Sequence, residues 1–186
     1  MSSPAIFFDR DGVITEKVNN EAPQKVPDLK LIPGITAFIK ALQKKGYKII
    51  VTSNQPDVAL RNISEQTKEN LKKRFEDLLK ENRLTVDGIY YCFHHEKGVV
   101  KKYTKDCNCR KPKPGLLQKA IKDLRLDVDQ SYMIGDRASD IAPAAKVGVT
   151  SILLDPKNSQ ANYLTLHNVK PDYTIRHIED ALEIIL

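Results

Sequence analysis

Two aspartates, Asp9 and Asp11, follow directly on an apolar run over residues 5–8 and precede Gly12. Such a run reads as a fully buried parallel strand, and two carboxylates at its end repel each other unless something cationic sits between them. Asp136 and Asp140 follow a second apolar run in the same manner. If the two strands are neighbours, four carboxylates converge on one sheet edge, where a hard divalent cation, Mg²⁺, is their natural partner. A carboxylate can also attack phosphorus and form an aspartyl phosphate, splitting one hard displacement into two easier ones. Asp9 stands where that nucleophile would stand. Asp11, two residues on, has the spacing to protonate the leaving oxygen and then deprotonate the incoming water. The charge spread over a transferring phosphoryl group calls for fixed donors around it, and Ser53 offers a hydroxyl and Lys111 an ammonium.

A second constellation has different chemistry. Cys92 and His94 are followed, after twelve residues, by Cys107 and Cys109. Three thiolates and one imidazole in two close pairs across a loop fit a closed tetrahedral Zn²⁺ site, with His94 preferred to His95 because of its even spacing from Cys92. Arg110 and Lys111 come directly after Cys109. A zinc clip over residues 92–109 would therefore stiffen an irregular loop and aim both side chains at a bound phosphate.

The elements that must position these groups alternate in the βαβ manner, which predicts a parallel sheet covered by helices on both faces. Strands are expected over 5–8, 47–54, 86–93, 131–136, 150–154 and 172–175. Helices are expected over 33–46, 63–83, 115–126, 139–148 and 178–186. In the second helix Ser64 is an N-cap and Leu71, Phe75, Leu78 and Leu79 form the apolar stripe. The polar clusters at Asp9 and Asp11, at Ser53, Asn54 and Gln55, and at Asp136 and Asp140 all fall just past strand ends, where open α/β sheets bind ligands.

At 186 residues, with 41% hydrophobic and 29% charged residues, the chain has the size of one globular domain spanning 1–186. The net charge of +6 suits an anionic ligand, but the lysines are scattered and aromatics are only 6%, so no nucleic-acid stacking platform stands out. No basic leader followed by an apolar core is present, and no apolar run approaches bilayer length, so a cytoplasmic protein without membrane association is expected. Three cysteines argue against a disulfide framework and for thiolate or metal chemistry. His167 and His177 stand outside every motif and read as ordinary surface or core residues.

Taken in order, Asp9-Arg10-Asp11-Gly12-Val13, Ser53, Lys111, and Gly135-Asp136-Arg137-Ala138-Ser139-Asp140 resemble the four motifs of the haloacid dehalogenase superfamily, over residues 5–150. The resemblance implies a Rossmann-like three-layer α/β/α sandwich and Mg²⁺ held by Asp9, Asp11 and Asp136, with Asp140 in support. It also implies Asp9 as nucleophile, Asp11 as general acid/base, and Ser53 and Lys111 on the phosphate. The zinc loop followed by Arg-Lys-Pro-x-Pro-Gly is similar to the branch of heptose bisphosphate phosphatases and histidinol phosphatases, compact enzymes without a large cap domain. With 41 residues between Asp11 and Ser53 and 57 between Ser53 and Lys111, largely used by expected core elements and the zinc loop, the chain agrees. The resemblance implies a small phosphorylated sugar as substrate, a monomer, and contacts from Arg110, Asn54 and Gln55 to the sugar or its distal phosphate. Two departures stand out: Pro56-Asp57-Val58-Ala59-Leu60-Arg61 replaces the usual Ser-Gly-Ile-Ala-Arg-Gly, and Phe93 a usual proline. Two readings of another class, a phosphoryl receiver and a zinc-dependent nucleic-acid binder, remain beside the enzyme. A receiver needs no paired acid/base at the Asp11 position, and a nucleic-acid binder would show steeply salt-dependent affinity.

Overall fold

A computed structural model describes residues 2–166 and 168–186; His167 lies outside the described residues. Six strands form one wholly parallel sheet: β1 (Ser3–Phe8), β2 (Lys48–Asn54), β3 (Gly88–Cys92), β4 (Leu126–Gly135), β5 (Thr150–Leu154) and β6 (Tyr173–Ile175), in the order β3-β2-β1-β4-β5-β6. This is the Rossmann order, and its switch point falls where β1 meets β4. Phe8 is in register with Val51 on one side and Ile134 on the other. The residues that follow β1 and β4 therefore emerge side by side at the sheet's carboxyl edge.

The period of two along β1 divides the core. Ile6 and Phe8 join a cluster with Ile35, Phe38, Ile39 and Leu42 of α1 (Ile35–Lys44) and with Leu71, Phe75, Leu78 and Leu79 of α2 (Glu65–Glu81). Ala5 and Phe7 face the other way, onto Leu117 and Ala120 of α3 (Gly115–Leu124) and Ala144 of α4 (Ala138–Val147). The apolar residues recur at i, i+3, i+4, i+7 in α1 and at i, i+4, i+7, i+8 in α2, helical stripes that demand such burial, and Ser64 Oγ caps α2 by accepting from Thr67 N at 3.0 Å. The result is the expected three-layer sandwich, with no inserted cap among the described residues. No described helix is long and apolar enough to cross a membrane.

Four elements differ from expectation. The strand expected over 131–136 begins at Leu126, because Ser3 and Pro4 pair with Leu126 and Asp127 before a register shift brings Ile6 onto Tyr132. Helix α3 stops at Arg125, which takes a left-handed conformation (φ 52°) where glycine is the usual stop signal, so the leucines at 124 and 126 look continuous in sequence but belong to different elements. Helix α5 (Ala161–Leu166) has no buried residue and so no apolar stripe to announce it, and the last helix, α6 (Ala181–Ile185), is preceded by one 3₁₀ turn over Ile178–Asp180.

Candidate active site

Asp9 leaves the end of β1 with its backbone N–H donating to Ile134 O at 3.0 Å, so the first carboxylate is fixed directly over the switch point. Its Oδ1 accepts from Lys111 Nζ at 2.8 Å. Lys111, only 3% exposed, gives its other two protons to Thr52 O at 2.8 Å and Asp140 Oδ1 at 2.5 Å. An ammonium has three donors, and all three are used in holding Asp9 and Asp140 to the end of β2. Burial alone would lower the Lys111 pKa, but Asp140 and Asp9 outweigh it and hold the group charged. Asp9 is pushed up to about 6, chiefly by burial and further by Asp140 and Asp11, against the pull of Lys111.

Asp136 follows Gly135 at the end of β4, and Asp140 lies one turn into α4, where its Oδ2 accepts from Arg137 N at 3.1 Å. The packing is close: a Cβ on Gly135 would stand 2.2 Å from that of Asp140, and one on Gly12 would stand 2.5 Å from Asp136 Oδ2. Only glycine fits at either position, and Gly12 also has φ +96°. Oxygen atoms of Asp9, Asp136 and Asp140 lie within 4.8 Å of one another. Asp136 Oδ1 is buried with no hydrogen-bond partner among the described residues. An all-oxygen set with an orphaned carboxylate oxygen fits Mg²⁺. Burial raises the Asp136 pKa, Asp9 raises it further, and Lys17 opposes both.

Asp11 stands apart from this cluster. Arg10 grips its carboxylate in a fork, Nε to Oδ1 and Nη2 to Oδ2, both at 3.0 Å. Thr15 Oγ1 donates to Oδ1 at 2.9 Å and Gln55 Nε2 to Oδ2 at 2.6 Å. The four expected carboxylates thus divide into three around a cation-sized space and one held beside it. With four donors on it, the Asp11 carboxylate would have to lose one of them before it could exchange a proton with a bound molecule.

The other expected residues fall at the same edge with differing freedom. Ser53, 1% exposed at the end of β2, accepts from Gln55 Nε2 at 3.0 Å and lines the cavity that contains Asp9. Asn54 is a clamp: its Nδ2 donates to Lys111 O at 2.9 Å and its Oδ1 accepts from Lys111 N at 3.1 Å. Gln55 is committed to Arg10, Asp11 and Ser53 and does not reach the cavity wall. Arg110 does reach it, while its Nη1 donates to His94 O at 3.3 Å. The cavity, about 320 Å³, is further walled by Lys17, Glu21, Asp57 and Arg137. The linear motifs do not mark Lys17 or Glu21, which arrive from a loop with no apolar run or pairing pattern to place them, whereas Arg137 lies within the Gly135–Asp140 motif and Asp57 within the departing 56–61 loop.

Cys92, His94, Cys107 and Cys109 gather as one cluster, with ligand atoms within 4.8 Å. Cys109 Sγ lies 3.2 Å from both Cys92 Sγ and Cys107 Sγ and 3.2 Å from His94 Nδ1. These separations are far longer than a disulfide's ~2.05 Å and suit four ligands around one ion. Burial, then the neighbouring thiols, push the Cys109 thiol up, so the unbound cluster resists ionisation that a cation would favour. His95 lies outside it, its Nδ1 accepting from Lys97 N at 3.0 Å. Cys92 ends β3 beside Asn54, the two in register. The cysteine cluster thus shares one sheet edge with Ser53 and Asn54.

A family model described as "HAD-hyrolase-like" matches residues 108–181. Among curated relatives, the D-glycero-beta-D-manno-heptose-1,7-bisphosphate 7-phosphatase of Haemophilus ducreyi is 38% identical over 155 residues, covering 83% of this chain and 84% of that one. The protein of the same description from Escherichia coli K12 is 37% identical over 155 residues, covering 82% and 80%. Among solved structures, the D,D-heptose 1,7-bisphosphate phosphatase of B. bronchiseptica, complexed with magnesium and phosphate, superimposes with a TM-score of 0.77 at 21% identity, over 97% of this chain and 99% of that one; at that identity the likeness concerns the fold. With relatives this similar over most of both chains, the protein belongs to the haloacid dehalogenase-like hydrolases and is a phosphatase.

Proposed function

We propose that the protein is a cytoplasmic, Mg²⁺-dependent phosphomonoesterase, a single catalytic domain acting as a monomer, that removes the 7-phosphate of D-glycero-D-manno-heptose 1,7-bisphosphate. The observation that carries the chemistry is the pairing of Asp9 with Lys111: one carboxylate oxygen is held, and the group lines a cavity of about 320 Å³ beside Ser53 and Asp11. The substrate follows from the relatives described as heptose bisphosphate phosphatases.

In this reading Asp9 attacks phosphorus and the ester P–O bond breaks, with Asp11 delivering the proton to the departing alkoxide. Water then attacks the aspartyl phosphate, Asp11 takes its proton, and the P–O bond to Asp9 breaks to free orthophosphate. Ser53 donates to the phosphoryl oxygens, and Lys111 keeps Asp9 ionised and aimed. Mg²⁺, held by Asp9 and Asp136 with Asp140 in support, supplies charge neutralisation at the phosphoryl group. Arg110 meets the distal phosphate. Zn²⁺, held by Cys92, His94, Cys107 and Cys109, supplies rigidity to the loop that carries Arg110 and Lys111, without entering the chemistry.

Glu21 and Asp57 on the same wall favour a second substrate of the same class, histidinol phosphate, whose ammonium would meet those carboxylates. Phosphate release from both compounds with Mg²⁺ present decides between them. Turnover of the heptose bisphosphate is expected to dominate. Asp9→Asn should abolish it and Asp11→Asn should slow it about 10²–10⁴-fold; wild-type turnover in Asp9→Asn would overturn the mechanism.

A further inference from the structure

Lys17 projects from the loop after β1 and ion-pairs through Nζ with Asp136 Oδ2, both side chains being mostly buried. Asp136 is also the carboxylate whose second oxygen has no partner among the described residues. The electrostatic count at the cluster is uneven. Asp9, Asp136 and Asp140 bring three negative charges, while Lys111 and Lys17 bring two positive ones. Lys111 is locked by three acceptors at the end of β2, whereas Lys17 has this single acceptor among the described residues. Adding a divalent cation with both lysines in place would leave the cluster net positive, with an ammonium and a dication sharing one carboxylate. Exchanging Lys17 for the cation leaves it neutral.

We propose that Lys17 is a built-in competitor of the catalytic divalent cation: it occupies Asp136 in the metal-free protein and must leave for the metal to bind, so it sets the metal affinity of the site. This rests on the Mg²⁺ reading above. Space for the departing side chain exists, because Lys17 lines both the catalytic cavity and a larger neighbouring one of about 790 Å³, whose wall also carries Arg137, Lys157 and Arg176. The position is also specific in shape. The same missing Cβ at Gly12 that admits Asp136 admits the Lys17 stem, whose Cε would lie 2.7 Å from it.

The test is direct binding, with no turnover involved. Zinc-loaded full-length protein is titrated with Mn²⁺ alone, free Mn²⁺ being read by electron paramagnetic resonance, for wild type, Lys17→Met, Lys17→Gln and Lys157→Met. Removing the competitor should tighten Mn²⁺ binding about three- to tenfold in both Lys17 variants. Lys157→Met removes a nearby positive charge that does not touch Asp136, and it should shift affinity by less than about twofold. Equal affinities in wild type and the Lys17 variants, or an equal gain in Lys157→Met, would overturn the competition. Absence of Mn²⁺ binding in every protein would remove the metal reading and this inference together. Lys17→Gln also guards against a misfolded Lys17→Met protein, since it keeps a polar donor to Asp136 while losing the charge.

Discussion

Arg10 lies between the two aspartates in the chain and is the largest side chain among those fully buried, at 1% exposure. Its guanidinium spans Asp11 and Gln55 Oε1, the latter at 2.7 Å, and lies 5.8 Å and 5.9 Å from the ring centres of Phe75 and Tyr91. It therefore joins β1, the end of β2, α2 and β3 through one side chain. Its planar fork is what lets it do so, since an ammonium cannot hold both carboxylate oxygens in one plane. Arg10→Met removes the only cation touching Asp11 among the described residues and leaves that carboxylate buried beside an apolar stem. The expected loss is about 3–5 kcal/mol of unfolding free energy by urea titration. Arg10→Lys should recover part of it, and a neutral outcome for Arg10→Met would mean that water already satisfies Asp11.

Among elements, the segment from Cys92 to Lys111 is the one whose order depends on more than packing. It touches the loop after β2 through Val99 N and Val100 N, which donate to Ala59 O at 2.8 and 3.1 Å, and through Tyr103, whose hydroxyl bonds Glu65 and Lys68 of α2. The apolar cluster beneath it is small, centred on Val58, Ala59 and Tyr103. The cysteine cluster closes a loop of 15 residues between Cys92 and Cys107, a constraint worth about 3 kcal/mol on chain-entropy grounds. Cys107→Ala should therefore lose zinc and lower Tm by roughly 6–12 °C, with phosphate release falling because Lys111 is two residues beyond Cys109. A zinc-free variant with wild-type Tm and turnover would show the loop to be held by its packing alone. This element was legible in the sequence because its ligands are rare residues at short spacing. Asp9 and Asp136 were legible because apolar runs end at them. Lys17 and the grip on Asp11 were not, because their partners are distant in sequence or lie in loops whose path no periodicity records. Asn54 and Gln55 were placed at the correct strand end, but the structure spends their polar atoms on Lys111, Arg10 and Asp11 instead of on the open cavity.

At the scale of the whole molecule, the parallel sheet gathers buried carboxylates at one edge, and their mutual repulsion opposes folding until something neutralises it. Burial and Asp9 raise the pKa of Asp136, so the charged form of this residue works against the metal-free protein. A group whose folded pKa lies above its unfolded value withdraws stability as pH rises from the unfolded value through the folded one. Asp136→Asn removes the charge and keeps an oxygen for Lys17, so the metal-free variant should melt at or above the wild-type Tm at pH 7. Metal reverses the order. At a Mg²⁺ concentration 100 times its dissociation constant, linkage adds about 2.7 kcal/mol to wild type, a rise of roughly 5–10 °C for a chain of this length. The variant, lacking one of the proposed cation ligands, should show little of that rise. Differential scanning fluorimetry with and without Mg²⁺ checks both halves. If the metal-free variant melts well below wild type, Asp136 is a stabilising partner of Lys17 first, and the strain assigned to the sheet edge is wrong. If its Mg²⁺ response matches wild type, the cation is held elsewhere.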